Sequence, residues 1–342
     1  MQNAATITVL SIVIHCVFSR DVHAQNTVLL NHDKRWFLWT KASPNFCSKV
    51  DYEMDAEEAF PLDVFPPDLV LTTWTIPNEA SESLEEDVKS LVWRLNSTII
   101  NQHLYDMDYL FAYEFVQHSP GKADGVKGLV EFYTAIDPFI YSYQPVVELY
   151  EGPFAVIFSK QIFSKAGPQA VVDIYLAKDS KLAEHWDVVR SEPVKGPNRS
   201  GRSLFEVSLP QMPTTAEERR KNKEIAVNAI NGYRNMKSKE AVNHFFSKDL
   251  VQHSIGSADG TGSLVTGFSG STDVKVDIKI VVASGDLVAV YSKVDLKFSG
   301  NPVSFALMDI FRIFGCKITE HWSINEPLPK GMKNYKNSNG PF

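Results

Sequence analysis

Three side chains near the middle of the chain have the types and spacing for proton transfer. His185 and Asp187 stand two positions apart in Glu184-His185-Trp186-Asp187. That stretch reads as a β-strand, so both side chains share one face. His118, in Val116-Gln117-His118-Ser119, is the third candidate. If the shared face lines an apolar pocket, burial raises the Asp187 pKa towards neutrality. The carboxylate could then take a proton from the carbon beside a carbonyl, with His185 or His118 donating to the enolate. The alternatives are plainer: Asp187 pairs with a cation at a strand end, and His118 is a buried anchor bonded to backbone.

Most of these residues occur twice. Phe115-Val116-Gln117-His118-Ser119, followed by Ala123-Asp124-Gly125, returns as Leu250-Val251-Gln252-His253-Ser254, followed by Ala258-Asp259-Gly260. Val172-Asp173-Ile174-Tyr175 and Glu184-His185-Trp186-Asp187 return as Met308-Asp309-Ile310-Phe311 and Glu320-His321-Trp322-Ser323. Four blocks in one order at offsets of 135 and 136 make a duplicated domain; solenoid repeats have periods of roughly 20–50 residues. Candidate ligand-binding residues are thus His253, His321, Asp173, Asp309, Gln117 and Gln252, the glutamines being better suited to tie a loop. Asp124-Gly125 and Asp259-Gly260 read as turns with glycine at positive φ. Ser323 replaces Asp187 in the second copy, and a serine hydroxyl is too weak a base to substitute. Asp173 and Asp309 either face a pocket or meet Lys160 and Lys293 across the sheet, the cross-strand pair being the expectation. A desolvated lysine there could instead form a Schiff base.

The elements that position these groups follow from periodicity. Ser83 with Glu86 marks a capping box, and Leu84, Val88, Leu91, Val92, Leu95 and Ile99 give a helical stripe. Thr215 with Glu218 opens the matching helix, with Ile225, Ala229, Ile230 and Tyr233 as its stripe. Strands are expected at 146–150, 154–159, 170–176 and 182–189, and again at 274–280, 287–292, 305–313 and 317–324. Helices followed by an antiparallel meander give an α+β domain in which a curved sheet is covered by helices and leaves a pocket. Trp186 and Trp322 alternate with the histidines and so face the opposite side. There the two copies could pack as an intramolecular pseudo-dimer, or whole chains as a homo-oligomer.

Residues 1–24 read as a secretion signal: an apolar run too short to span a bilayer, then Val22-His23-Ala24. Residues 25–80 form a non-repeated, proline-broken aromatic extension expected to pack on a domain. Next come domain 1 (81–193), a Pro/Gly-rich linker (194–214), domain 2 (215–329) and a tail (330–342). The expected setting is secreted or luminal, without a stable membrane span. Asn198 and Asn96 lie in glycosylation sequons. Cys47 and Cys316 either pair or remain lone thiols. A net charge of −7 argues against a nucleic-acid partner. No phosphate loop, metal-ligand motif or nucleophile elbow is present, so neither cofactor nor metal is expected.

The order Val-Gln-His-Ser, Asp-Gly, Val-Asp-Ile-Tyr, Glu-His-Trp-Asp-Val resembles the SnoaL-like family. The likeness covers about residues 82–193 and 215–329. It implies the cone-shaped α+β fold shared with nuclear transport factor two and ketosteroid isomerase, here as two tandem copies. It also implies a pocket in each cone and an acid–base pair acting on apolar carbonyl compounds, as in aldol-type polyketide cyclases. The cyclases' base would fall on Asp187. Where many members show His-Ser-His, this chain has Phe158-Ser159-Lys160 and Tyr291-Ser292-Lys293. The expected function is therefore a secreted protein binding a small apolar, carbonyl-containing ligand, with cyclase, isomerase or lyase chemistry confined to domain 1. The alternative is a non-catalytic carrier or interaction module.

Overall fold

The computed structural model describes residues 27–32, 35–40, 81–163, 165, 167–190, 198–235, 239–266 and 271–342. The expected signal, most of the extension and Cys47 lie outside them. Within the compact unit of residues 1–59, β1 (Thr27–His32) pairs antiparallel with β2 (Arg35–Thr40).

The unit of residues 60–342 is α+β and holds two mixed five-stranded sheets. Helix α1 (Ser81–Ile100) turns Val88, Leu91, Val92, Leu95 and Ile99 inward, as its stripe predicts. It begins two residues before Ser83, so Ser83 is not its cap. A 3-10 turn (Leu104–Tyr109) leads into β3 (Phe111–Gln117), α2 (Gly125–Thr134), β4 (Ser142–Glu151), β5 (Phe154–Ile162), β6 (Gln169–Lys178) and β7 (Lys181–Val189). The second set is α3 (Ala216–Ile230), a π turn (Asn231–Asn235), α4 (Lys239–Phe245), β8 (Phe246–Gln252), α5 (Gly262–Thr266), β9 (Ser271–Ser284), β10 (Leu287–Phe298), β11 (Asn301–Phe314) and β12 (Lys317–Pro327). Thr215 caps α3 in a true capping box, its hydroxyl accepting from the Glu218 amide while Glu218 accepts from the Thr215 amide.

The strand orders are β3-β7-β6-β5-β4 and β8-β12-β11-β10-β9. The four later strands of each set form the antiparallel meander. The expectation of a wholly antiparallel sheet is corrected by β3 and β8, which pair parallel to β7 and β12. The Gln-His blocks are the ends of these extra strands, set beside the last strand by the crossover of everything between, as parallel pairing requires. The turns at Gly125 and Gly260 do take positive φ, 69° and 81°.

Strand alternation divides the apolar side chains between two faces. On one face of the first sheet, Ile157, Tyr175 and Leu182 meet the α1 stripe, Leu129 and Tyr133. On one face of the second, Val288, Val290 and Phe311 meet Ala226, Ile230 and Phe245. The opposite faces form a single cluster: Val156, Phe158, Ile174 and Trp186 pack with Ala289, Tyr291, Met308, Ile310 and Trp322.

Candidate functional site

Each sheet carries the same buried polar triad on its helix-covered side. Gln117 ends β3, His185 is on β7 and Asp173 on β6. His185 Nδ1 lies 3.0 Å from Gln117 Oε1, and Nε2 lies 3.0 Å from Asp173 Oδ1. The Ser119 amide donates to the same Gln117 oxygen at 2.9 Å, which fixes the orientation of the amide group. Because that oxygen only accepts, Nδ1 is the donor to it. In the second sheet His321 lies 3.0 Å from Gln252 Oε1 and 2.9 Å from Asp309 Oδ1. Burial lowers the His321 pKa against the pull of Asp309, which favours the neutral ring.

The expected cross-strand pairs are not formed. Asp173 binds His185 and, at 3.4 Å, Gln161; Asp309 binds His321 and, at 2.6 Å, Arg234. Register explains it: Lys160 stands opposite Ala170, and Lys293 opposite Ala306, pairing instead with Asp295 at 2.8 Å.

Asp187 is buried beside this network, but it is not a carboxylate raised towards neutrality. The Lys122 ammonium, also buried, donates to its Oδ2 and to Ser119 Oγ. Burial works to raise the Asp187 pKa, and Lys122 and His185 outweigh it, holding the carboxyl below the ordinary range. The ligand atoms of Asp173, His185 and Asp187 lie within 4.8 Å of one another, and Lys122 already supplies the positive charge there. Glu326, from the end of β12, approaches the same place and accepts from the Val189 amide at 2.9 Å. Burial first, then Asp187, pushes its pKa up to about 8.

His118 does not converge with Asp187 and His185. Its Nε2 lies 3.1 Å from Glu184 and its Nδ1 3.0 Å from the Gly340 carbonyl, with the ring stacked on Trp186. His253 repeats this: Nε2 to Glu320 at 2.7 Å, Nδ1 to the Ser203 carbonyl at 3.0 Å, stacked on Trp322. Both are anchors for a passing strap of chain. The segment after the first sheet straps the second: Ser200 Oγ donates to the Gln252 carbonyl and Arg202 to Asp259. The segment after the second sheet straps the first: Asn339 donates to the Gln117 carbonyl and to Asp124. The shared Gln-His and Asp-Gly blocks are the two landing points of these straps.

A cavity of about 540 Å³ lies on the helix-covered side of the second sheet. His321, Ser323, Asn325, Tyr233 and Arg234 border it, with Val294, Leu296, Phe305 and Leu307 among its apolar walls. The repeated blocks allow its lining to be compared with the first sheet. At the offsets of the repeat, Lys122 and Asp187 correspond to Ser257 and Ser323. Both serines border the cavity, so two small hydroxyls stand where the first sheet has its ion pair. The sequence reading saw Ser323 but missed Lys122, Ser257 and Arg234. Comparing the copies position by position would have exposed the joint exchange. A second cleft, about 520 Å³, borders Glu85, Lys89, Glu148 and Gln211 and holds none of these groups.

The sequon asparagines are half-buried. Asn96 donates to the Tyr143 hydroxyl at 2.9 Å, and the Asn198 amide nitrogen points at the Gln252 carbonyl, 3.5 Å away. Among the described residues no helix is long and apolar enough to cross a membrane.

No family model matches the chain, and no curated protein matches it. Similar solved structures include a SnoaL-like polyketide cyclase from Agrobacterium tumefaciens, 17 % identical, covering 31 % of this chain and 91 % of that one, with a TM-score of 0.28. An LEH-like epoxide hydrolase from M. tuberculosis is 19 % identical, covering 32 % and 85 %, with a TM-score of 0.29. At such identities and scores the likenesses carry no activity over to this chain.

Proposed function

We propose that this chain is a tandem SnoaL-like protein that binds a small, largely apolar molecule in the cavity of its second copy, and that its first copy is a scaffold whose equivalent space is closed by an ion pair. The observation that carries this reading is the joint exchange of Lys122 and Asp187 for Ser257 and Ser323, with the cavity between the serines and the apolar strands. Its volume falls within the ~300–1,000 Å³ usual for ligand sites. General-base chemistry at Asp187 forms no part of the proposal, because that carboxylate is buried and engaged by Lys122. We read the cluster shared by the two sheets as an intramolecular pseudo-dimer. A secreted or luminal setting completes the proposal; it is supported by the apolar run before Ala24.

The test is titration with N-phenyl-1-naphthylamine, a neutral apolar dye that fluoresces on leaving water. The wild type is expected to bind one equivalent, and the double variant Ser257→Lys/Ser323→Asp to lose binding at least tenfold while melting as a folded protein. Equal binding by both would place the dye elsewhere and refute the site.

A further inference from the structure

The outward face of α1 carries Trp93 and Arg94, with Ser97 and Thr98 one turn further on. The 3-10 turn after the helix supplies Asp106 and Tyr109, which share a face because such a helix has three residues per turn. All six residues border one cleft of about 310 Å³, together with the buried Leu110. Its walls are held by backbone: the His103 amide donates to the Thr98 carbonyl at 2.9 Å, and the Asp106 amide to the His103 carbonyl at 3.0 Å. Trp93 and Tyr109 remain 70 % and 69 % exposed, so neither ring is accounted for by burial in the core.

The second set of elements builds the same seam without a cleft lining of this kind. At an offset of 135, the ends of β3, Phe111 and Gln117, fall on the ends of β8, Phe246 and Gln252. The buried Met107 likewise falls on the buried Val242. The same count sets Asn228 and His244 at the places of Trp93 and Tyr109, and the buried Ala229 and Ala241 at those of Arg94 and Asp106. Ser97 is matched by Gly232, on which a Cβ would collide with the Ala241 side chain. The seam is therefore closed by small residues in the second set, whereas Ser97 and Asp106 border an open space in the first. A helix, a short helical turn and a parallel strand can be joined in this order without Trp93, Arg94, Asp106 or Tyr109.

We infer that this cleft is a binding site for a neutral saccharide of one or two rings. A pyranose ring offers apolar C–H faces and a rim of hydroxyls, and the cleft offers a complement to both. Trp93 and Tyr109 have apolar ring bodies with polar tips. Asp106 accepts from hydroxyls, Arg94 donates to them, and the Thr98 hydroxyl can do either. Hydrogen bonds to ionised groups are the stronger kind, so few are needed for a ligand that stays partly in water. One cation and one anion border the space, which favours a ligand without net charge. The volume lies at the low end of the ~300–1,000 Å³ usual for ligand sites. This site does not depend on the cavity of the second sheet.

Cellobiose, maltose, lactose and N,N′-diacetylchitobiose are each titrated into the full chain and followed by saturation-transfer NMR. Cyclohexanol, a ring with two apolar faces and a single hydroxyl, is titrated beside them. At least one of the four disaccharides is expected to bind at least tenfold more tightly than cyclohexanol, with an affinity that does not fall as salt is raised. Trp93→Asn and Asp106→Ala, which install the residues of the second set, should each weaken that binding at least tenfold. Absence of binding by all four disaccharides overturns the inference, and so does cyclohexanol binding as tightly as they do. Binding that Trp93→Asn leaves unchanged places the sugar elsewhere and overturns the site. The comparison with cyclohexanol is made on the wild type, so misfolding of a variant leaves it decisive.

Discussion

A buried ammonium–carboxylate pair is far more sensitive to losing one partner than to losing both, because the survivor is left as an uncompensated charge. Lys122→Met or Asp187→Leu alone should therefore destabilise the protein by about 3–5 kcal/mol. The double variant should recover most of that loss, as read from urea unfolding. Additive losses would contradict the pairing. Two glutamates make opposite pH predictions. Glu326 ordinarily titrates at 4.5 and is raised to about 8 in the fold. Between those values the folded state keeps a proton that the unfolded chain has released, so its contribution makes stability fall as pH rises. Glu326→Gln should flatten the melting temperature across about pH 5–8. Glu320 is held down at about 2, its burial outweighed by His253 and Arg312. Its contribution is present above 4.5 and lost as pH falls through about 2, so Glu320→Gln should differ most from wild type near neutrality and converge with it in acid. At this scale Asp187 was legible in the sequence because it shares a face with His185. Lys122 was not: it sits in the aperiodic loop Pro120-Gly121-Lys122-Ala123, and a loop's reach is set by three-dimensional closure.

At the scale of elements, the meander strands were legible from alternation and turn residues, and α1 and α3 from their stripes. Strands β3 and β8 were not, because FAYEFVQ and FSKDLVQ set charged residues between short apolar groups and carry no clean period. The straps were also hidden, since they have no regular structure and bind through carbonyls and the side chains of Ser200, Arg202 and Asn339. Their kinship is visible afterwards: Glu192-Pro193 with Lys195-Gly196 is echoed by Glu326-Pro327 with Lys330-Gly331. Asn339→Ala removes the side-chain donor to the Gln117 carbonyl and one donor to Asp124, which keeps the Ser338 amide. It should raise amide hydrogen exchange in residues 118–124 while leaving 253–259 protected, because those residues are strapped by the other segment. Equal protection in variant and wild type would show the strap to be incidental.

At the scale of the molecule, four ordered blocks recur in the sequence and two sheets of like strand order stand in the fold, and the placing of Trp186 and Trp322 away from the histidines followed from strand alternation. What alternation cannot convey is reciprocity: the sheets share one apolar cluster, and each set of strands is strapped by chain belonging to the other. Residues 81–190 expressed alone would leave Phe158, Ile174 and Trp186 without their partners. That fragment should self-associate or remain unfolded, as read by light scattering after gel filtration; a stable monomer would refute the shared core.

The reciprocal straps also set an order of manufacture. The second copy meets the strap that clamps His253 before its own strands have left the ribosome, because residues 198–210 are synthesised ahead of them. The first copy must wait: the carbonyl that clamps His118 belongs to Gly340, made after every strand of the second. Throughout synthesis of the second copy, the first therefore stands as an unfinished half with an open apolar face. It is this earlier-made half, rather than the later one, that should engage a chaperone on the nascent chain.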